Sequence, residues 1–322
     1  MKTVTKRLAA MAAILVMSVT AVTAQAKTVR VGTGSETGTY FGIGTDIDSF
    51  CGTEMSEASL ELFPSGGSVA NLDGMNTKQF TAGIVQEDVL RLYSKFLMPK
   101  KVNEKRIRVI TPLHVEPLNL LIPVNYKPEG QKVGFFAKLW GSDDAPVKLD
   151  INLLRNQQVA AWGGSMVSAQ ALSRYLGLDF SVREIAKGQT AKGRNGEIPI
   201  LVVEGFPSKV VQQYLDSGKY RLVSIDYDKV KVQADFYVPH KLSYTVKGKV
   251  VNVDTIGTRA LLVGKASRKA SRNLPMEELA SCIEESLIDL ADDADTNSNW
   301  SEIFEFVDDE NTVDWKYFNL AE

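Results

Sequence analysis

The strongest constraint on the fold is an arrangement that occurs in both halves of the chain: a short apolar strand runs into Gly-Gly-Ser, and the serine opens an amphipathic helix. The first copy is Leu60-Glu61-Leu62-Phe63 followed by Pro64-Ser65-Gly66-Gly67-Ser68, with Val69, Leu72 and Met75 on the helix behind it. The second is Val159-Ala160-Ala161, Trp162-Gly163-Gly164-Ser165, then Met166, Ala169, Leu172 and Leu176 at helical spacing, closed by Gly177 as a C′ residue. Thr28-Val29-Arg30-Val31, the loop Gly32 to Thr39, and Tyr40, Ile43, Ile47 and Phe50 give a third strand, glycine loop and helix. Strands alternating with helices in this way require an α/β fold built on a largely parallel sheet.

Further strands are predicted at Phe80–Val85, Leu113–Val124, Pro199–Val203, Leu222–Ile225 and Ile256–Val263. Leu113–Val124, broken by Pro117 and Pro123, is expected to cross into a second lobe, and Ile256–Val263 to return to the first. Ser68 is predicted as a helix N-cap. Pro275 is predicted in the first turn of one long last helix with Met276, Leu279, Ile283, Leu287 and Leu290 as its stripe. The aromatic side chains of the acidic tail, Trp300, Phe304, Phe306, Trp315, Tyr317 and Phe318, are expected to pack on the fold.

The chain begins with the parts of an export signal: Lys2, Lys6 and Arg7, an uncharged apolar run from Leu8 to Val22, and Ala24-Gln25-Ala26. The run is shorter than the ~20 residues of a membrane-spanning helix. Cleavage there would leave a soluble periplasmic protein of 296 residues beginning near Lys27, with 34 basic and 39 acidic residues and a net charge of −5. That size suits two domains. The mild acidity gives no support to nucleic-acid binding, which shows as a basic patch. The cysteines, Cys51 and Cys282, each fit an apolar helix face, and whether they pair is open.

Chemistry is expected where strand ends meet helix starts. A helix N-terminus offers unpaired N–H groups and about half a positive charge, and glycine lets a ligand approach the backbone. Two such loops, one per lobe, would grip a carboxylate or phosphate from both sides. Other sites fail on spacing. Gly32-x-Gly34 meets Thr37 where a dinucleotide fingerprint needs glycine, and Ala70 and Val167 stand where a nucleophile elbow needs one. His114 and His240 have no metal-binding spacing, and Asp46 and Asp48 lack the rest of a calcium loop. Neither a nucleophile–base pair nor a cofactor is expected.

Three segments carry a resemblance to a known family: Val31-Gly32-Thr33-Gly34-Ser35 through Gly38-Thr39-Tyr40, Ser65 to Leu72, and Gly83 to Val89 with Gln86-Glu87-Asp88; Gly205-Phe206-Pro207 adds a fourth. The chain resembles the TAXI family, the extracytoplasmic solute receptors of one branch of TRAP transporters. The resemblance implies a type II periplasmic-binding-protein fold of two lobes with a hinge. It also implies a receptor that delivers a carboxylate, such as glutamate or a 2-oxo acid, to TRAP membrane subunits; the protein is expected to be a monomer. The sequence departs from the family's Gly-Pro-Pro-Gly-Ser-Gly-Thr loop at Ala161-Trp162-Gly163-Gly164-Ser165-Met166-Val167, and 130–146 is longer than usual.

The resulting expectation is a signal at 1–26, a first lobe from 27–120 and 230–322, and a second lobe from 121–229, with the second crossing unplaced between 226 and 256. The ligand is expected to meet Ser35, Gly38, Thr39, Tyr40, Gly67, Ser68, Gln86, Trp162, Gly164, Ser165, Met166 and Val167. Tyr40 and Trp162 are read as flat walls and Gln86 as an orienting hydrogen-bond group. The alternatives are a receptor feeding a membrane sensor, separable by a neighbouring transporter gene, and a periplasmic enzyme on the same fold.

Overall fold

Val29 and Val31 alternate with Thr28 and Arg30, and the strand they form, β1 (Lys27–Gly32), lies between two strands that run parallel to it. The structure is a computed structural model that describes residues 27–56, 58–128, 151–308 and 313–318; the export signal and the stretch 130–146 lie outside these residues. After β1 come α1 (Thr39–Cys51), β2 (Ala58–Phe63), α2 (Ser68–Thr77), β3 (Ala82–Gln86), α3 (Glu87–Leu92) and the long β4 (Ile107–Pro123). Then follow β5 (Gln158–Ala161), α4 (Gly164–Tyr175), β6 (Ser181–Glu184), the small hairpin β7 (Lys192–Gly193) and β8 (Gly196–Glu197), β9 (Ile200–Val203), α5 (Lys209–Asp216), β10 (Tyr220–Val223) and α6 (Tyr227–Val230). The chain closes with β11 (Val238–Val246), the long β12 (Lys249–Lys265), α7 (Leu274–Glu285), α8 (Leu287–Asp292) and α9 (Trp300–Asp308).

The pairings define two lobes with one strand order. The first lobe runs β2-β1-β3-β12-β4, with β12 inserted antiparallel between β3 and β4. The second runs β6-β5-β9-β4-β10, with β4 antiparallel to both neighbours. In each lobe the strand next to the edge has arrived from the other lobe. β4 changes partner between Pro117, which faces Gly257 of β12, and Leu118, which faces Val203 of β9. At that crossing a Cβ on Gly257 would lie 2.2 Å from Val115 Cγ1, so no side chain fits there.

Helices cover both faces of the first lobe. One core joins α1, α7, α8 and α9 to the sheet, with Ile43, Leu279, Leu290 and Trp300 fully buried, and the other joins α2 and α3 through Leu72, Met75, Val89 and Leu90. In the second lobe Leu172 of α4 and Leu176 just after it pack on one face, and Val211, Tyr214 and Leu215 of α5 on the other. Cys51, the last residue of α1, is bonded to Cys282 of α7 with Cα atoms 5.9 Å apart, within the ordinary bridging range. Among the described residues no helix is long and apolar enough to cross a membrane.

Several expectations change. Val230, Phe236 and Tyr237 pack in the core of the second lobe, as do Leu242, Tyr244 and Val253 of the β11–β12 hairpin. The first lobe therefore resumes near Gly257 rather than at 230. The hairpin closes through Lys247 and Gly248, both at positive φ, the geometry of a two-residue turn that follows strand twist. The single last helix is two: Ser286, at φ −93° and ψ 0°, separates α7 from α8. Ser68 is not the N-cap of α2; Gly67 holds that place at φ 83°, leaving the serine hydroxyl free to bond another strand. Gly177 at φ 57° closes α4 as expected. The tail aromatics pack: Trp300 and Phe318 are buried, and Trp315 Nε1 donates to the Ile107 carbonyl at 2.9 Å.

Candidate functional site

Four helices start at one cleft. Gly38, Thr39 and Tyr40 at the start of α1, and Gly67 and Ser68 at the start of α2, form its first-lobe wall. Gly164 at the start of α4, with Ser208, Lys209 and Val210 at the start of α5, faces them from the second lobe. The cleft has a volume of about 770 Å³. The lobes stand close across it: a Cβ on Gly164 would meet Gln86 Oε1 at 3.5 Å, and one on Gly205 would meet Thr39 Oγ1 at 3.6 Å. No side chain caps α1, α2 or α4, so their first N–H groups are left for a ligand or solvent; Ser208 caps α5 by accepting from the Val211 N–H.

The two Gly-Gly-Ser loops are not topological counterparts, since α2 follows the second strand of its lobe and α4 the first of its own. Their serines nevertheless make one contact. Ser68 Oγ accepts the Gln86 N–H at 3.0 Å and Ser165 Oγ accepts the Val203 N–H at 2.9 Å, in each case at the end of the third strand. Each hydroxyl ties a helix start to a strand end and so sets the depth of the cleft wall.

The floor is a polar cluster around Glu116 of β4. Gln86 Nε2 donates to Glu116 Oε2 at 2.6 Å, and Ser68 Oγ reaches Gln86 Oε1 at 3.4 Å. His114 Nε2 lies 3.5 Å from Glu116 Oε1, with its ring edge-on to Tyr40. Burial, with the Glu116 charge adding to it, holds the Tyr40 hydroxyl well above its ordinary pKa, so it is a neutral hydrogen-bonding group. At the second-lobe rim Lys187 Nζ pairs with Glu204 Oε2 at 3.1 Å. Asn297–Asn299 reach the cleft from the far end of the chain, anchored where Asp46 Oδ2 accepts from the Asn297 N–H at 2.9 Å and from Trp300 Nε1 at 2.8 Å.

Of the residues predicted to meet a ligand, Gly38, Thr39, Tyr40, Gly67, Ser68, Gln86 and Gly164 line the cleft. Ser35, Trp162, Ser165, Met166 and Val167 do not. Ser35 is exposed in the turn before α1 and accepts the Gly38 N–H. Trp162 stacks on Tyr214 of α5, ring centroids 6.3 Å apart, against the second-lobe core. Ser165 is buried against β9, Met166 packs on the second-lobe core, and Val167 packs on the α2–α3 core of the first lobe. Residues missing from the sequence reading are Glu116, Lys187, Glu204, Ser208 and 297–299. Glu116 had a signal, as the one acidic residue of the crossing strand. Among the described residues no group of acids, histidines or cysteines could hold a metal ion.

Two α/β lobes joined by continuous strands around a cleft form a periplasmic-binding-protein-like fold. A model of the NMT1-like family matches residues 31–142, which begin in β1 and run past β4. No curated protein matches the chain. Solved structures similar to it include the GluR0 ligand-binding core in complex with L-glutamate, at 11% identity over 87% of this chain and 98% of that one, with a TM-score of 0.43. The ligand-binding component of an ABC-type import system from Staphylococcus aureus is similar at 9% identity, over 87% and 78%, with a TM-score of 0.43. An ancestral arginine-binding protein bound to arginine gives 11%, 86% and 96%, and 0.42.

Proposed function

We propose that the protein is an extracytoplasmic solute-binding receptor that closes its two lobes on a small organic carboxylate and passes it to a TRAP-type membrane transporter. The supporting observation is the convergence of four helix starts, two from each lobe, on one cleft. The starts of α1, α2 and α4 bring uncapped N–H groups, α5 adds a start capped by Ser208, and each start carries about half a positive charge. A carboxylate at their meeting point is held without a lysine or arginine of its own, and it bridges the lobes. The ligand then binds the closed form better than the open one and draws the population toward it.

Native mass spectrometry of the purified protein identifies what it carries, and small-angle scattering with and without that compound reads closure. The radius of gyration is expected to fall at saturation. Gly164→Leu places a branched side chain against Gln86 and is expected to abolish both binding and closure, while Gly164→Ala, whose Cβ sits at ordinary contact distance, is tolerated. An unchanged radius together with unchanged Gly164→Leu affinity would remove the ligand from the space between the lobes.

A further inference from the structure

The cleft holds a negative charge that the helix starts do not explain. Glu116 lies on β4 just before the crossing at Pro117, with only 10% of its side chain exposed, and it lines the cleft floor. Among the described residues no lysine or arginine pairs with it. The nearest cleft ion pair, Lys187 with Glu204, is on the other lobe. Gln86 Nε2 donates to Oε2 and the Tyr40 hydroxyl also hydrogen-bonds the carboxylate, but both donors are neutral, and His114 Nε2, at 3.5 Å from Oε1, is beyond a hydrogen bond of ordinary strength. An ionised carboxylate accepts about four hydrogen bonds and donates none. Closure around a purely anionic ligand would confine two like charges in a space from which water has been expelled.

We infer that Glu116 receives a cationic nitrogen of the ligand, so that the cleft takes a zwitterion carrying both an ammonium and a carboxylate, an amino acid rather than the corresponding 2-oxo acid. This rests on the carboxylate reading above and adds the second charge to it. The helix starts at Gly67, Ser68 and Gly164 hold the carboxylate. Gln86 turns its amide nitrogen to Glu116 and its amide oxygen to Ser68, which keeps the Glu116 carboxylate in place beside the α2 helix start. A 2-oxo acid offers a carbonyl oxygen where the ammonium would sit, and that oxygen meets the carboxylate without a proton to share.

Matched pairs differing only at that position supply the test: L-glutamate with 2-oxoglutarate, L-leucine with 4-methyl-2-oxopentanoate, and L-alanine with pyruvate, each titrated calorimetrically into wild type and Glu116→Gln. In the pair that binds, wild type is expected to favour the amino acid by ~10–150-fold, the worth of a hydrogen bond between charged groups. Glu116→Gln is expected to bring that ratio close to one. A side chain that only braced Gln86 would weaken both members equally and leave the ratio intact. Wild-type preference for the oxo acid, or an unchanged ratio in the variant, would overturn the inference while leaving the cleft as the binding site. The wild-type ratio stands even if the variant fails to fold. Failure of all six compounds to bind would remove the carboxylate reading and this inference with it.

Discussion

Asp88→Asn changes one charge at the point where the lobes meet behind the cleft. Asp88 lies in α3 of the first lobe and is fully buried; Tyr237 of the second lobe donates its hydroxyl to Oδ2 at 3.3 Å. Burial raises the Asp88 carboxyl from 3.8 to about 6, against the pull of polar groups on Ser168, Val89 and Thr258. The nearby Glu116 charge adds to the rise. The folded protein thus keeps this proton to higher pH than the unfolded chain does. Its stabilising contribution is complete below about pH 4 and is lost as the pH climbs through 6. A difference of about two pKa units corresponds to ~3 kcal/mol. Asparagine keeps the shape and cannot ionise, so the stability of Asp88→Asn relative to wild type is expected to improve by ~3 kcal/mol between pH 4 and pH 8. Urea denaturation of both proteins across that range measures it. Glu87 and Glu302, whose carboxyls burial also raises, are common to both proteins and drop out of the difference. Parallel stability curves would refute the assignment of a costly buried charge to Asp88.

Reduction of the Cys51–Cys282 bridge, or Cys282→Ser, is expected to cost ~2–5 kcal/mol, because the bridge closes a loop across a sequence separation of 231. Denaturation midpoints that do not move with added reductant would contradict it. Ser68→Ala is expected to weaken ligand binding about tenfold, the scale of one hydrogen bond to a charged group, whereas Ser165→Ala lowers stability by ~1 kcal/mol and spares affinity. Equal losses of affinity in calorimetry would return Ser165 to the site.

Layering was the part most open to sequence reading, because a glycine loop between a strand and an amphipathic helix admits few other geometries. The crossing predicted at Leu113–Val124 overlaps β4 up to its end at Pro123, and the one at Ile256–Val263 falls within β12; the long apolar runs of both strands reflect burial on both faces. β11 escaped although its burial alternates strictly, because only Leu242 and Tyr244 of its nine residues are fully buried and His240 holds an inward position where an apolar residue would mark the strand. Side-chain direction was harder to read. Trp162 and Ser165 follow the right loop, yet one turns to Tyr214 and the other to β9, and which way they turn depends on neighbours 38 or more residues away. Glu116 was missed because its partner Gln86 comes from another strand. The convergence of α5 and 297–299 on the cleft depends on tertiary contacts such as Asp46 with Trp300.

The insertion of β12 between β3 and β4 sets an order on assembly. A chain emerging from its amino terminus supplies β1, β2, β3 and β4 within its first 123 residues, but the strand that belongs between β3 and β4 ends at residue 265. Until it arrives, the nascent first lobe has a vacancy two strand spacings wide, ~9.5 Å, bordered by unpaired backbone on both sides. The sheet of the second lobe has no such wait, since β4 precedes β5, β6, β9 and β10. The half that begins first therefore finishes last, and a chain stopped before residue 257 carries two raw strand edges ready to pair with another copy.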